Sequence, residues 1–324
     1  MQAIVYNTYG PPSVLSLQQI ERPVIGERDV LVRVRAASVN SWDRGNLTPA
    51  FANRSMLGWL RPKIRVLGGD IAGTIEAVGS AVTRWKPGDA VFGDLSHCGW
   101  GAFAEYARAT EDALAAKPGE LSFAEAAAMP QSAVIALQGI RDYGNVQAGQ
   151  RVLINGAGGG VGSFAVQLAK LYGAEVTGVD SAPKLGMLRG LGADHVIDYH
   201  AQDYTSGDVR YHFVLDCELH RSPRDCLRVL TPHGRLTVVG GDGKRILQAF
   251  LMGLTGRYLT RRAGPQLDVL LHKANKNLAE LAALAAKGSI HSAIGREYAL
   301  RDTPLALQEM CDGQVIGKAV IIVS

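Results

Sequence analysis

The stretch INGAGGGVGSFAVQ, Ile154 to Gln167, places five glycines in the seven residues from Gly156 to Gly162. An apolar run, RVLIN, ends just before the glycines, and a helix-like pattern, SFAVQLAKL, begins just after them. A dinucleotide site needs that order. A strand must end in a tight turn, and the backbone must come close to a pyrophosphate. A helix N-terminus must then direct its free N–H groups and positive dipole end at the phosphates. The literal G-x-G-x-x-G is absent, because counting back from Gly162 puts Gly159 in place but Ala157 where the first glycine belongs. What remains is Gly156-x-x-Gly159-x-x-Gly162. A bare glycine pattern is weak, so its context carries the reading. Asp180 ends the next predicted strand, 18 positions after Gly162, close to the spacing of an acid that meets the adenosine ribose. The stretch is predicted to be a dinucleotide turn rather than a flexible linker.

The chain around that turn alternates. RVLING, EVTGVD, HVIDY, HFVLD and RLTVVGG read as strands, with SFAVQLAKLYG, KLGMLRGLG and RDCLRVL as helices between them. Short apolar strands separated by helices imply right-handed βαβ units and a parallel sheet covered on both faces. An Ala-rich helical stretch, SFAEAAAMPQSAVIALQGIRDYG, leads into this region. Residues 1–120 differ. DVLVRVRAASV, GTIEAVGSAV, DAVFGDL and GAFAEYARA are short strand candidates, punctuated by turns such as KPGD, and they suggest a small barrel or sandwich. After Gly241, KRILQAFLMGLTGRYLTRRAG reads as helical, with Gly253 and Gly256 interrupting it. NLAELAALAAKGS is a helix, and SAIGREYAL and KAVIIVS close the chain as strands in the N-terminal style. The 324 residues suit two domains. The expectation is an α/β chain whose first domain is discontinuous, with the C-terminus returning to it.

Composition narrows the functions. The net charge of +4 suits a binder of small anions and is weak evidence for nucleic acid, whose binders usually show a concentrated basic stripe, so no nucleic acid is expected. Cys98, Cys217, Cys226 and Cys311 form no C-x-x-C and no disulfide framework, which points to a reducing compartment. The start, MQAIVYNTYGPP, lacks a signal-peptide pattern, and no 18-residue apolar run exists, so a cytoplasmic protein is expected. Lys244, Arg245, Arg257, Arg261 and Arg262 flank ILQAFLMGL. Such a stretch can lie on an anionic membrane surface. Its glycines weaken a long helix, so it reads as an internal connector over the cofactor cleft, and membrane association is not expected.

Several segments together resemble one family. They are AASVNSWD (36–43), LGGDIAGTIEAVGSAVTRWKPGDAVFG (67–93), GAFAEYA (101–107), FAEAAAMPQSAVIALQGI (123–140), VLINGAGGGVGSFAVQLAK (152–170), LGADHVIDY (191–199) and the ending GQVIGKAVI. The chain resembles the medium-chain dehydrogenase/reductase superfamily, within it the zinc-free quinone oxidoreductase or zeta-crystallin-like branch. That resemblance implies a GroES-like β-barrel domain formed by residues 1–122 and 274–324. It implies a Rossmann doubly wound parallel sheet domain over 123–273. It also implies a homodimer. Lys184 and Tyr199 fall where such reductases grip the 2′-phosphate and adenosine end of NADPH, and Ser181 falls at a hydroxyl position in the same loop. Asp180 departs from the branch, where an uncharged residue is usual. A carboxylate there favours NAD by accepting from the ribose 2′-OH. NADPH is favoured on the resemblance, and NADH stays open. The expected cofactor-binding residues are Gly158, Gly159, Gly160, Val161, Asp180, Ser181, Lys184, Tyr199 and Gly240.

Zinc-dependent relatives place Cys-x-x-Asp and Gly-His-Glu in the first domain. Here the matching residues are Asn40-Ser41-Trp42-Asp43 and Gly68-Gly69-Asp70, and the third ligand position falls in the apolar run around Ala128. Two of the three protein ligands that a catalytic zinc needs are therefore replaced, and the four-cysteine lobe is missing. His97 and Cys98 are adjacent, and neighbouring side chains on an extended segment point apart. No metal is expected. Oxidising an ordinary alcohol then lacks its Lewis acid. Conjugate reduction is easier, with hydride adding to a quinone or enone and hydrogen-bond donors meeting the developing enolate. Asn40 is the candidate polar group at the reacting end, with a turn residue as its plain alternative. Asp43 is expected to brace its loop. Arg44-Gly45-Asn46 stands where some relatives carry a tyrosine acid, so no proton donor is assigned. Trp42, Phe51, Met56, Leu57, Trp59 and Leu60 either line an apolar pocket or pack as core. The expected function is NAD(P)H-dependent reduction of a quinone, enone or similar small molecule. The alternative is an NADPH-binding structural or regulatory protein with little turnover.

Overall fold

The computed structural model describes residues 1–50, 54–241, 243–259 and 264–324. In chain order its strands are β1 (Gln2–Val5), β2 (Ser16–Gln19), β3 (Asp29–Ser38), β4 (Asp70–Val78), β5 (Ala90–Asp94), β6 (Tyr106–Thr110), β7 (Leu114–Ala116), β8 (Arg151–Asn155), β9 (Glu175–Asp180), β10 (His195–Asp198), β11 (Tyr211–Asp216), β12 (Leu230–Val238), β13 (Gln266–Val269), β14 (Ile294–Ala299) and β15 (Lys318–Ile322). Two compact units result: Met1–Val134 with Ala274–Ser324, and Ile135–Lys273.

The first unit is built on a seven-stranded sheet in the order β14-β15-β3-β4-β5-β7, with β6 also on β3. β3 is the pivot. Val30, Val32 and Val34 point into the core, and Arg33 and Arg35 point out, as period-two alternation dictates. One edge of β3 pairs β4 along its length. Its other edge is shared, with Asp29–Arg33 on β6 and Ala36–Ser38 on β15. The chain's last strand is thus locked against its third, with Ile321 opposite Ala37. Ile4, Leu47, Leu67, Ile71, Phe103 and Ile321 belong to the core behind this sheet.

The second unit holds six parallel strands in the order β10-β9-β8-β11-β12-β13. This is the doubly wound arrangement, with the order reversing between β8 and β11. Val152, Leu153 and Ile154 of β8 are fully buried, as a central strand covered on both faces requires. Ligands of such sheets bind in the crevice at the carboxyl ends of the strands, at that reversal.

Four features differ from the sequence reading. The helix Phe123–Ala127 and the residues up to 134 lie with the first unit, so the second begins at Ile135 rather than at 123. The reason is hydrogen bonding: Ser292 Oγ donates to Glu125 O at 2.8 Å, and Gln131 N donates to Asp70 Oδ1 at 3.0 Å. The helix Gly243–Leu259 runs through Gly253 without interruption. A Cβ there would sit 2.8 Å from the Leu267 carbonyl oxygen, so the glycine lets the helix lie close on β13. β13 and the helix Thr303–Cys311 were not evident from the residue pattern. Asn40, whose plain alternative was a turn residue, instead caps the helix Ser41–Leu47. Among the described residues no helix is long and apolar enough to cross a membrane.

Candidate functional site

The glycine turn forms the first part of the site. Gly156 follows β8 with φ +72°, a conformation that favours glycine. The N–H groups of Gly156 and Ala157 both donate to Val179 O, at 3.0 and 3.1 Å, which ties the turn to the next strand. The helix Gly160–Leu171 starts hard against it. A Cβ on Gly162 would lie 2.2 Å from Gly156 O and 2.5 Å from Ala157 Cα. Ala157, at the position of the missing glycine, is fully buried. Its methyl faces Gly178 of β9, where an added Cβ would come within 3.3 Å of it. Alanine is therefore accommodated by a glycine on the adjacent strand. Gly159 precedes the helix and supplies no side-chain cap. First-turn N–H groups such as those of Gly160 and Val161 have no intrahelical acceptor, and with the helix dipole they form an anion seat.

The adenosine end is organised by Asp180 at the tip of β9. Its Oδ2 accepts from Gly158 N at 2.7 Å, and its Oδ1 accepts from Ser181 N at 2.9 Å. Lys184 Nζ stands 3.4 Å from Oδ1. The lysine stem lies across Gly158, where a Cβ would meet Lys184 Cδ at 2.6 Å. Both side chains are largely covered, at 13% and 7% exposure. The carboxylate is thus engaged with backbone donors, and its charge is offset by Lys184. Tyr199 is half-exposed, and its N–H reaches Asp180 O at 3.3 Å. Burial raises the Tyr199 hydroxyl's pKa, and the neighbouring Asp180, Asp198 and Glu218 charges raise it further. Gly240 follows β12, and a Cβ there would sit 2.8 Å from the Cys217 carbonyl oxygen. Beneath the strand ends, buried Asp216 accepts from Asn155 Nδ2 at 2.7 Å and from Leu219 N at 2.6 Å.

In the first unit a buried charged cluster surrounds Asn40. This residue starts the helix Ser41–Leu47 in a capping box with Asp43. Asp43 accepts from Asn40 N at 2.8 Å and Gly68 N at 2.9 Å. Lys318 Nζ donates to Asn40 Oδ1 at 2.6 Å and to Val39 O at 3.1 Å. Asn40 Nδ2 donates to Asp70 Oδ2 at 2.9 Å, which also accepts from Ser38 Oγ at 3.0 Å. Lys318 Nζ is 3.7 Å from the same Asp70 oxygen, an ion pair rather than a hydrogen bond. Burial raises the Asp43 pKa to about 7, against the pull of its two backbone donors. Burial also raises Asp70 and lowers Lys318, while each charge opposes the other's shift. Asp94 and Gln131 flank Gly69, where a Cβ would lie 3.1 Å from Asp94 Oδ1 and 3.9 Å from Gln131 Nε2. Asp94 Oδ2 and Gln131 Nε2 are buried without a hydrogen-bond partner among the described residues.

This donor set does not fit a zinc ion. Position 40 offers an amide whose oxygen already takes a lysine hydrogen bond. Position 69 offers a hydrogen, and Asp70 already serves Asn40, Ser38, Gln131 and Lys318. A dication beside Asp70 would face the buried Lys318 ammonium. Among the described residues no three of His, Cys, Asp and Glu are arranged to hold a metal ion.

Sequence reasoning overlooked Lys318, Asp94 and Gln131. The signal for Lys318 was legible: a lone lysine opening the apolar strand KAVII. Lysine is almost never fully buried unless paired. Of the apolar group proposed for a pocket or core, Phe51 and the side chain of Met56 lie outside the described residues. Trp42, Trp59 and Leu60 are exposed, so they are not core.

Residues 26–119 match the alcohol dehydrogenase GroES-like domain family, and residues 191–321 match the zinc-binding dehydrogenase family. The chain is 30% identical to the chloroplast envelope quinone oxidoreductase homolog of Arabidopsis thaliana, over 99% of this chain and 98% of that protein. It is 37% identical to the chloroplastic NADPH-dependent alkenal/one oxidoreductase of the same plant, over 67% of this chain and 57% of that protein. Several curated relatives are matched over less than two thirds of their length. The solved quinone oxidoreductase of Coxiella burnetii superposes with a TM-score of 0.87 at 28% identity, covering 100% of this chain and 99% of that one. The chain belongs to the medium-chain dehydrogenase/reductase superfamily, on its quinone-oxidoreductase branch.

Proposed function

We propose that the protein is a zinc-independent reductase that transfers hydride from NADPH to a quinone or enone. The observation that carries the reading is the uncapped start of the helix Gly160–Leu171, seated where the strand order of the parallel sheet reverses. The N–H groups of Gly160 and Val161 would hold the pyrophosphate, with Gly158 and Gly159 keeping the backbone bare for its approach. Lys184 and Ser181 would take the 2′-phosphate, with Tyr199 beside the adenosine. Lys184 already pairs with Asp180, so a phosphate would join an existing charge pair rather than recruit a free ammonium. The names of the quinone and NADPH-dependent alkenal reductases among its relatives support the same substrate class and cofactor. A bound nicotinamide supplies the hydride.

The buried cluster supports the zinc-free part. Lys318 supplies the positive charge beside Asp70, and both ends of the Asn40 amide are engaged within the cluster. Asn40 is therefore read as a positioning residue that starts its helix and fixes the local backbone. A homodimer would use the edge of β13, which pairs only β12 among the described strands. The test is turnover: loss of NADPH absorbance with phenanthrenequinone and with an enone, in protein checked for bound metal and again after chelation. Turnover that survives chelation is expected. Tight NADPH binding without turnover across a broad acceptor panel would refute the enzyme reading.

A further inference from the structure

A buried carboxylate bridges the point where the strand order reverses. Asp216 is the last residue of β11 and stands opposite Asn155, the last residue of β8, and Val238, the last of β12. It is fully buried. A carboxylate taken out of water needs hydrogen-bond donors, and Asp216 draws them from separate segments. Its Oδ1 accepts from Asn155 Nδ2 at 2.7 Å, across the reversal. The same oxygen accepts from Leu219 N at 2.6 Å and from Glu218 N at 3.1 Å, in the loop that follows β11. Its Oδ2 accepts from Cys226 Sγ at 3.7 Å, and that sulfur lies 3.8 Å from the Tyr204 hydroxyl.

The loop held in this way is strained. Leu219 has φ +36°, toward the left-handed side that a residue with a Cβ rarely visits. Its side chain is fully buried in the second unit's core while its N–H is held by Asp216, so the residue is gripped from two directions. The same loop lies against the glycine turn. A Cβ on Gly156 would come within 2.8 Å of Glu218 Cγ and 3.2 Å of Cys217 Cβ. A Cβ on Gly240, after β12, would come within 2.8 Å of Cys217 O. Backbone strain persists only where its surroundings over-determine it, and it gathers at ligand sites. In a doubly wound sheet the crevice at the order reversal has the turn after one strand on one side and the loop after its neighbour on the other. Here those are the glycine turn after β8 and the loop Cys217–Leu219 after β11.

On the reading that the glycine turn seats a pyrophosphate, we propose that Asp216 is a positioning residue for the dinucleotide, holding the loop Cys217–Leu219 against that turn and so setting the gap between the two sides of the crevice. Asp216 acts through Leu219 and Asn155 and does not itself touch the cofactor. With a weaker acceptor at 216, Leu219 relaxes out of its left-handed conformation in part of the molecules. Only the fraction with the loop in place binds tightly, and the apparent affinity falls by that fraction. NADPH and NADH share the pyrophosphate and differ at the 2′-phosphate, so both lose affinity by the same factor. A residue at the adenosine end would change one more than the other.

The test is fluorescence titration of the full chain with NADPH and, separately, with NADH. Asp216→Asn should weaken both about tenfold, the difference between a charged and a neutral acceptor, and leave their ratio unchanged. Leu230→Ala is the control. It lies at the far end of the sheet, where β12 meets the first residue of β11, and it also removes core packing from the second unit. It should leave both affinities within about twofold, as a distant and independent site does. If circular dichroism shows Asp216→Asn unfolded, Asn155→Ala removes only the bond across the reversal and should weaken both dinucleotides equally, by about threefold. Wild-type affinity in the folded variant would overturn the proposal alone, as would a loss confined to one dinucleotide or an equal loss in Leu230→Ala. A wild-type protein that binds neither dinucleotide would overturn the reading of the glycine turn, and the proposal with it.

Discussion

Replacing Lys318 by Met tests the charged cluster directly. Methionine keeps a long apolar stem in β15 and removes the ammonium that faces Asp70. At the observed 3.7 Å and an effective dielectric near 20, the lost attraction is about 4 kcal/mol. Breaking one partner of a buried pair costs about 3–5 kcal/mol in comparable cases, because the other charge is left uncompensated. In a unit of this size that corresponds to a fall of about 10 °C in melting temperature at pH 8. The sign of the pH dependence follows from Asp70. Burial raises its folded pKa to about 6 even with Lys318 pulling it down, so loss of Lys318 raises it further. A carboxyl raised on folding contributes stability that is complete below its unfolded value and is lost as pH climbs through the folded value. In the wild type that loss ends near pH 6, but in the variant it continues upward. The gap between the two proteins should therefore be about 1 kcal/mol or less at pH 5, where Asp70 is mostly protonated in both, and should open above pH 6. Thermal unfolding by circular dichroism at pH 5 and pH 8 reads both ends, and Lys318→Arg should recover part of the loss. A gap of equal size at both pH values, or none at pH 8, would refute the pairing argument.

Gly162→Ala drives a Cβ to 2.2 Å from Gly156 O, so the turn must open, and NADPH affinity measured by fluorescence titration should fall at least tenfold. Unchanged affinity would place the pyrophosphate elsewhere. Lys184→Ala should reduce the preference for NADPH over NADH about tenfold, the worth of one charge-assisted hydrogen bond. An unaltered preference would remove Lys184 from the 2′-phosphate site. Asp216→Ala leaves the Asn155 amide and the Leu219 N–H unpaired in the core, and should cost about 3 kcal/mol in urea unfolding. A wild-type midpoint would show that this network is not structural.

The parallel unit was legible because its period is short and its punctuation strong. RVLIN followed by glycines and SFAVQLAKL can satisfy its backbone in few other ways, and β8 with the helix Gly160–Leu171 follows that pattern. What stayed hidden depends on contacts distant in sequence. Phe123–Ala127 has a helical sequence, but which unit it joins is decided by Ser292 and Asp70. Gly253 reads locally as a helix breaker, yet its lack of a side chain lets the helix approach Leu267. Asp180 read as an acceptor for the ribose 2′-OH, because its neighbours in sequence do not reveal that Gly158, 22 residues earlier, donates to it. The start of the second unit, and Lys318 as the partner of Asn40, were missed for the same reason.

The cluster shows how buried acids can be held by amide, hydroxyl, backbone and ammonium partners. Asp43, Asp70 and Asp94 are all fully buried, and desolvation alone would neutralise such a group or expel it. Backbone donors stabilise Asp43, and the Ser96 N–H reaches Asp94 Oδ1 at 2.8 Å. Asp70 receives amide, hydroxyl and backbone donors and, from the opposite end of the chain, an ammonium. A lysine at 318 and a metal ligand at 40 make opposite demands. The lysine needs an acceptor at position 40, which an amide oxygen provides at 2.6 Å. A thiolate there would bind a cation in the space that the ammonium serves. A bulky ligand at position 69 would crowd Asp94, whereas glycine leaves room. Asn40, Gly69 and Lys318 are therefore read best as one electrostatic solution, in which each residue's identity follows from the other two.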